Sequence, residues 1–157
     1  MKIMRKKFQL YSSLLMMLTI LFLLPACEKE DNETLISRNG QNESHQEGDN
    51  CMQCHISGGK GEGWFIAAGT VYTSNLQSTL PNGEILFFTG PNGSGTLVKT
   101  IEVDQLGNFF TTEDIDFSKG LYTAAKGSET TIYMDGPITS GQCNSCHGQS
   151  TEKINTH

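Results

Sequence analysis

Thr96-Leu97-Val98-Lys99-Thr100-Ile101-Glu102-Val103 is the stretch in which this chain's hydrophobic period is easiest to read. In an extended chain Leu97, Ile101 and Val103 share one face, and Thr96, Val98, Thr100 and Glu102 share the other, as expected of a half-buried strand. Val98 and Lys99 blur the alternation. Turn-forming runs bound the stretch on both sides: Gly90-Pro91-Asn92-Gly93 before it and Asp104-Gln105-Leu106-Gly107 after it. The same grammar extends outward. Phe65 to Thr73, Glu84 to Thr89, Asn108 to Thr112, Leu121 to Lys126 and Thr130 to Met134 are further β-favouring runs, with Pro81-Asn82-Gly83 and Lys126-Gly127-Ser128 as turns. No helical period is sustained between residues 64 and 134. The expected fold class is therefore all-β, a small Greek-key β-sandwich of about six strands. The glycines from Gly90 to Thr96 lack the lysine and following helix of a phosphate-binding loop, so they read as a turn.

Two copies of Cys-x-x-Cys-His bracket this β region: Cys51-Met52-Gln53-Cys54-His55 and Cys143-Asn144-Ser145-Cys146-His147. The spacing suits covalent haem attachment. Two thiols about a turn apart can bond to the two vinyl groups of one porphyrin while the next residue's imidazole reaches the iron. Two covalently bound haem c groups are thus the expected cofactors, held by Cys51, Cys54, Cys143 and Cys146, with His55 and His147 as proximal iron ligands. The remaining histidines, His45 and His157, are candidate distal ligands, and Met134 is another unless it serves as a core residue on the face of Ile132. The aromatic residues Trp64, Phe65, Phe87, Phe88, Phe109, Phe110 and Phe117 read as packing, with Trp64, Phe65 and Tyr133 near enough to the motifs in sequence to cover haem edges.

The fifth cysteine, Cys27, closes an export signal. Lys2, Arg5, Lys6 and Lys7 form a positive start, Phe8 to Leu24 is mostly apolar, and Leu24-Pro25-Ala26-Cys27 resembles a bacterial lipoprotein cleavage site. Residues 1–26 are expected to be removed and Cys27 to be acylated as a lipid anchor, which places the chain outside the cytoplasm, periplasmic or at the cell surface. Glu28-Lys29-Glu30-Asp31 resembles the acidic tag of surface lipoproteins. Residues 27–50 hold only Leu35 and Ile36 as aliphatic residues and are expected to be a disordered acidic tether. The dihaem domain then runs over 51–148, with the sandwich at 64–134 and a tail at 149–157.

The full chain has 11 Lys and Arg against 17 Asp and Glu. The signal takes four of the bases and none of the acids, leaving seven against seventeen, a formal charge of −10. That balance excludes nucleic-acid binding and favours redox partners that dock through basic patches.

Ala68-Gly69-Thr70-Val71-Tyr72, Asn82-Gly83-Glu84-Ile85, Asp104-x-x-Gly107-x-Phe109 and Gly120-Leu121-Tyr122 together resemble the carboxypeptidase-regulatory or transthyretin-like β-sandwich. The resemblance covers roughly residues 64–134. It implies a sandwich without catalytic residues, and it carries nothing about haem, because that family lacks the two flanking motifs.

The combined expectation is a lipid-anchored dihaem c-type cytochrome that carries electrons and is not an enzyme. No general base, Ser/His/Asp set or second metal cluster accompanies the motifs. The alternative from another class is a cell-surface binding or adhesion module in which the four cysteines form disulfides or clasp one zinc. That reading leaves the histidine after each cysteine pair without a role. A haem peroxidase or ligand sensor is a third reading, and it requires an open coordination site.

Overall fold

A computed structural model describes residues 32–157, and the signal, Cys27 and the acidic run that follows it lie outside the described residues. The fold is all-β. Its strands are β1 (Ala67–Thr73), β2 (Glu84–Phe88), β3 (Leu97–Glu102), β4 (Asn108–Thr111), β5 (Tyr122–Lys126), β6 (Thr131–Tyr133), β7 (Gly141–Gln142) and β8 (Ile154–Thr156). The first six coincide, within one or two residues at each end, with the runs read from the β-favouring pattern.

Two sheets form. One has the antiparallel order β3-β2-β5-β6, and the other is built on β1, which pairs antiparallel with β4 and parallel with both β7 and β8. Ile85, Phe87, Ile101 and Val103 from the first sheet meet Ala67, Val71 and Phe109 from the second, and these side chains are almost completely buried. Burying one large aliphatic or aromatic side chain contributes about 1.5–3 kcal/mol, so this layer is the main source of stability.

One detail of the alternation differs. Ile101 and Val103 lie in the core, but Leu97 is half exposed. A register shift between Phe87 and Phe88 pairs Phe88 with Leu97, where the regular ladder past Lys99 would have brought Val98. The bulge inserts one residue and turns the start of β3 out of phase with its end.

The segment before the first motif also differs from the expected tether. Leu35 and Thr112 exchange hydrogen bonds, Ser37 is fully buried with its hydroxyl on the Glu102 carbonyl, and Gln105 N–H donates to the Gln41 carbonyl. Residues 32–41 thus run along the otherwise open edge of β4. Backbone pairing orders them, which an estimate from buried apolar surface alone misses.

The C-terminal residues are likewise a strand where a tail was expected. β8 pairs Val71, Tyr72 and Thr73 with Ile154, Asn155 and Thr156. Because β7 pairs with Ala67 and Ala68, β7 and β8 are two pieces of a parallel neighbour to β1, and the second Cys-x-x-Cys-His loop is the excursion between them.

Candidate functional site

The two loops fold alike. Each begins with a short 3₁₀ turn, over Cys51–Gln53 and Cys143–Ser145. The Cys51 carbonyl accepts from Cys54 N–H at 3.2 Å and His55 N–H at 3.0 Å. The Cys143 carbonyl accepts from Cys146 N–H at 3.3 Å and His147 N–H at 3.0 Å. Such a turn brings the two thiols of a motif to one side of the backbone and carries the chain directly into the histidine.

Each imidazole is then fixed by the chain that follows. His55 Nδ1 lies 2.9 Å from the Glu62 carbonyl, and His147 Nδ1 lies 2.7 Å from the Glu152 carbonyl. A carbonyl only accepts, so Nδ1 donates in both rings, and in a neutral imidazole that tautomer leaves the Nε2 lone pair for a metal. This carbonyl-to-Nδ1 arrangement is the usual outer support of a ligating histidine. At the first loop the return path depends on Gly61, where a Cβ would come within 2.5 Å of His55 Nδ1.

Both loops rest on β1, so the two motifs share one side of the molecule. Asn144, 3 % exposed and inside the second motif, accepts from Thr70 N–H at 3.1 Å and donates to the Asp49 carbonyl at 3.0 Å. Its amide fills the break between β7 and β8 and ties the second loop to the approach of the first. Cys51 lies close enough to Cys143 to perturb its ionisation: burial, with the Cys51 thiol adding repulsion, pushes the Cys143 thiol up to about 12. Burial also raises Cys51, with Asp49 adding to the effect. Cys54 and Cys146 are exposed, and all four thiols are free.

Beside the second loop is a cavity of about 900 Å³, whose walls include Cys143, Cys146, His147, Tyr133, Met134 and Ile138. Sites for drug-sized ligands and cofactors span roughly 300–1,000 Å³, and this cavity lies within that range. Met134, weighed in the sequence against a place in the core, is 39 % exposed and faces this cavity. His157 is not among the wall residues. Its carbonyl instead accepts from Glu129 and Thr130 N–H at 2.9 and 2.7 Å, at the turn between β5 and β6.

At the first loop, Phe65 stacks on the His55 ring at 4.1 Å between centres, and Phe110 stacks on Phe65 at 4.8 Å. Phe65 is therefore both core residue and imidazole support. His45 stands 6.0 Å from His55, centre to centre, with the ring planes at 40°. The structure thus brings His45 beside His55, and places Met134 and His147 in the wall of one cavity. Asn144 and Thr70 escaped the sequence reading because an asparagine and a threonine in such places carry no motif.

Among the described residues, no three His, Cys, Asp or Glu side chains converge as a set for a bare metal ion. No helix among them is long and apolar enough to cross a membrane. The fold and site define a class, an all-β sandwich with two like Cys-x-x-Cys-His loops on one strand. Comparison with protein-family models, curated proteins and solved structures finds no match to this chain.

Proposed function

We propose that this protein is an exported dihaem c-type cytochrome, anchored through an acylated Cys27, that carries electrons between redox partners. One observation carries the reading: both motifs have the same backbone turn and the same Nδ1-to-carbonyl bond. Cys51 and Cys54 would hold one haem and Cys143 and Cys146 the other, with His55 and His147 as proximal ligands. Bound haem iron supplies one-electron chemistry by cycling between ferric and ferrous states.

The chain's own residues supply position and environment. The Glu62 and Glu152 carbonyls fix the imidazoles, Phe65 backs one of them, and Asn144 holds the two loops against β1. The acidic surface suits partners with basic docking patches, with association slowing as salt rises.

The test is the pyridine haemochrome spectrum of denatured protein made in a host with cytochrome c maturation, together with intact mass. Two covalent haems per chain are expected. Absence of haem, with a mass lowered only by thiol oxidation, would replace this reading with a disulfide-bonded binding module.

A further inference from the structure

We propose that the two irons take unlike axial pairs, His45 with His55 at the first loop and Met134 with His147 at the second, an assignment that rests on the haem reading above. Metal–imidazole bonds are about 2 Å long, and a ring nitrogen lies about 1 Å from its ring centre, so two imidazoles on one iron have centres about 6 Å apart. His45 and His55 stand at 6.0 Å. The separation is that of an iron-bridged pair, and the 40° between the ring planes is not that of a stacked pair.

The chain around His45 holds it there from both sides. Ser44 Oγ accepts from Asn108 Nδ2 at 2.9 Å, and Gly48 N–H donates to Thr70 Oγ1 at 2.9 Å. Gln46, between these anchors, takes a positive φ of 56° and turns the segment. Asn108 and Thr70 are themselves hydrogen-bonded across β4 and β1 at 2.7 Å. The His45 segment is therefore fastened to the strand on which the first loop rests. Phe65 covers one face of the His55 ring. Among the described residues no hydrogen bond engages the His45 ring, which leaves its nitrogens available.

The second pair stands on a separate observation. The cavity containing His147 and its two cysteines has a single thioether in its wall, Met134, and no histidine besides His147. Met134 N–H bonds to the Thr123 carbonyl at 2.9 Å, which fixes the residue just beyond β6. His157 does not line this cavity and its carbonyl is held at the β5–β6 turn, so the pairing gives it no ligand role. A Met/His iron has a higher potential than one held by two histidines, so the first haem is the lower-potential centre and the second the higher.

The experiment uses the full-length holoprotein and reads three things: the high-spin ferric fraction, the near-infrared sulfur-to-iron charge-transfer band and covalent haem content. Wild type is expected to be low-spin at both haems with the band present. His45→Ala makes half of the haem high-spin and keeps the band; Met134→Ala makes the other half high-spin and abolishes it; the double variant is high-spin throughout. His157→Ala changes nothing. Both ligand side chains are exposed, so each variant retains two haems. Two haems with spin states unmoved by His45→Ala, a band that survives Met134→Ala, or a site opened by His157→Ala overturns the pairing alone. A chain lacking covalent haem overturns the haem reading and the pairing together.

Discussion

The Asn144 side-chain amide donates to the main-chain carbonyl of Asp49 at 3.0 Å, joining the interior of the second Cys-x-x-Cys-His loop to the residue two before the first. The same side chain satisfies the buried Thr70 N–H, to which β7 and β8 supply no backbone partner. One residue thus completes a sheet edge and couples two sites that lie far apart in sequence.

Replacing Asn144 with Ala removes these two bonds and a third, from its amide to Thr70 Oγ1 at 3.2 Å, and leaves a buried N–H unpaired, which costs about 1–3 kcal/mol. A fall of several degrees in thermal midpoint is expected, and an unchanged midpoint would show that the amide is dispensable. Asn144→Asp discriminates further. It keeps an acceptor for Thr70 but turns a carboxylate toward the Asp49 carbonyl, so its deficit should shrink as falling pH protonates the carboxyl and restores a donor.

The Cys143 thiol provides a second test, in the haem-free chain. Raised from 9.0 to about 12 by burial and by Cys51, it has about a thousandfold less thiolate at pH 8 than an ordinary cysteine. Higher intrinsic nucleophilicity of the more basic thiolate recovers part of this, leaving alkylation at least about thirtyfold slower. Unfolding in urea should bring Cys143 to the ordinary rate, and equal rates in native and unfolded chains would refute the raised ionisation of the folded thiol. The linkage has a definite sign. Between pH 9 and 12 the unfolded thiol ionises first, so the haem-free fold loses stability as pH rises through that window. A thioether cannot ionise, so haem attachment should abolish the Cys143 contribution.

The six strands between the motifs were legible because aromatic and β-branched runs alternate there with residues that form turns. Asp104 illustrates it: its carboxylate accepts from Leu106 and Asn108 N–H at 2.9 Å each, closing the turn that delivers Phe109 to the core. The cysteine pairs and their histidines were legible because attachment chemistry dictates residue type and spacing together. What lay hidden was set by long-range pairing. β7 and β8 are two and three residues long and exist as partners of β1. Ser37 is buried through hydrogen bonds to β4 and to the Glu102 carbonyl, which leave no hydrophobic pattern. The placement of His45 beside His55, and of Met134 in the wall of the cavity with His147, depends on the same tertiary contacts.

Gly61 offers a test confined to one loop. Its N–H donates to the Cys54 carbonyl at 3.0 Å, so the backbone passes directly against the His55 ring. A Cβ at this position would lie 2.5–2.7 Å from three ring atoms, closer than real contacts allow. Phe65 stacks on that ring, so the imidazole lacks an open path of retreat. Gly61→Ala should therefore displace His55, loosen its bond to the Glu62 carbonyl and change the spectrum and potential of the first haem. The second loop uses its own return path through Gly148, Thr151 and Glu152, so the second haem should stay as in wild type. Potentiometric titration of the holoprotein reads both centres at once. One midpoint should move while the other holds, whereas a shift in both would mean that the loops act as one unit, and a shift in neither would remove Gly61 from any role in seating the imidazole.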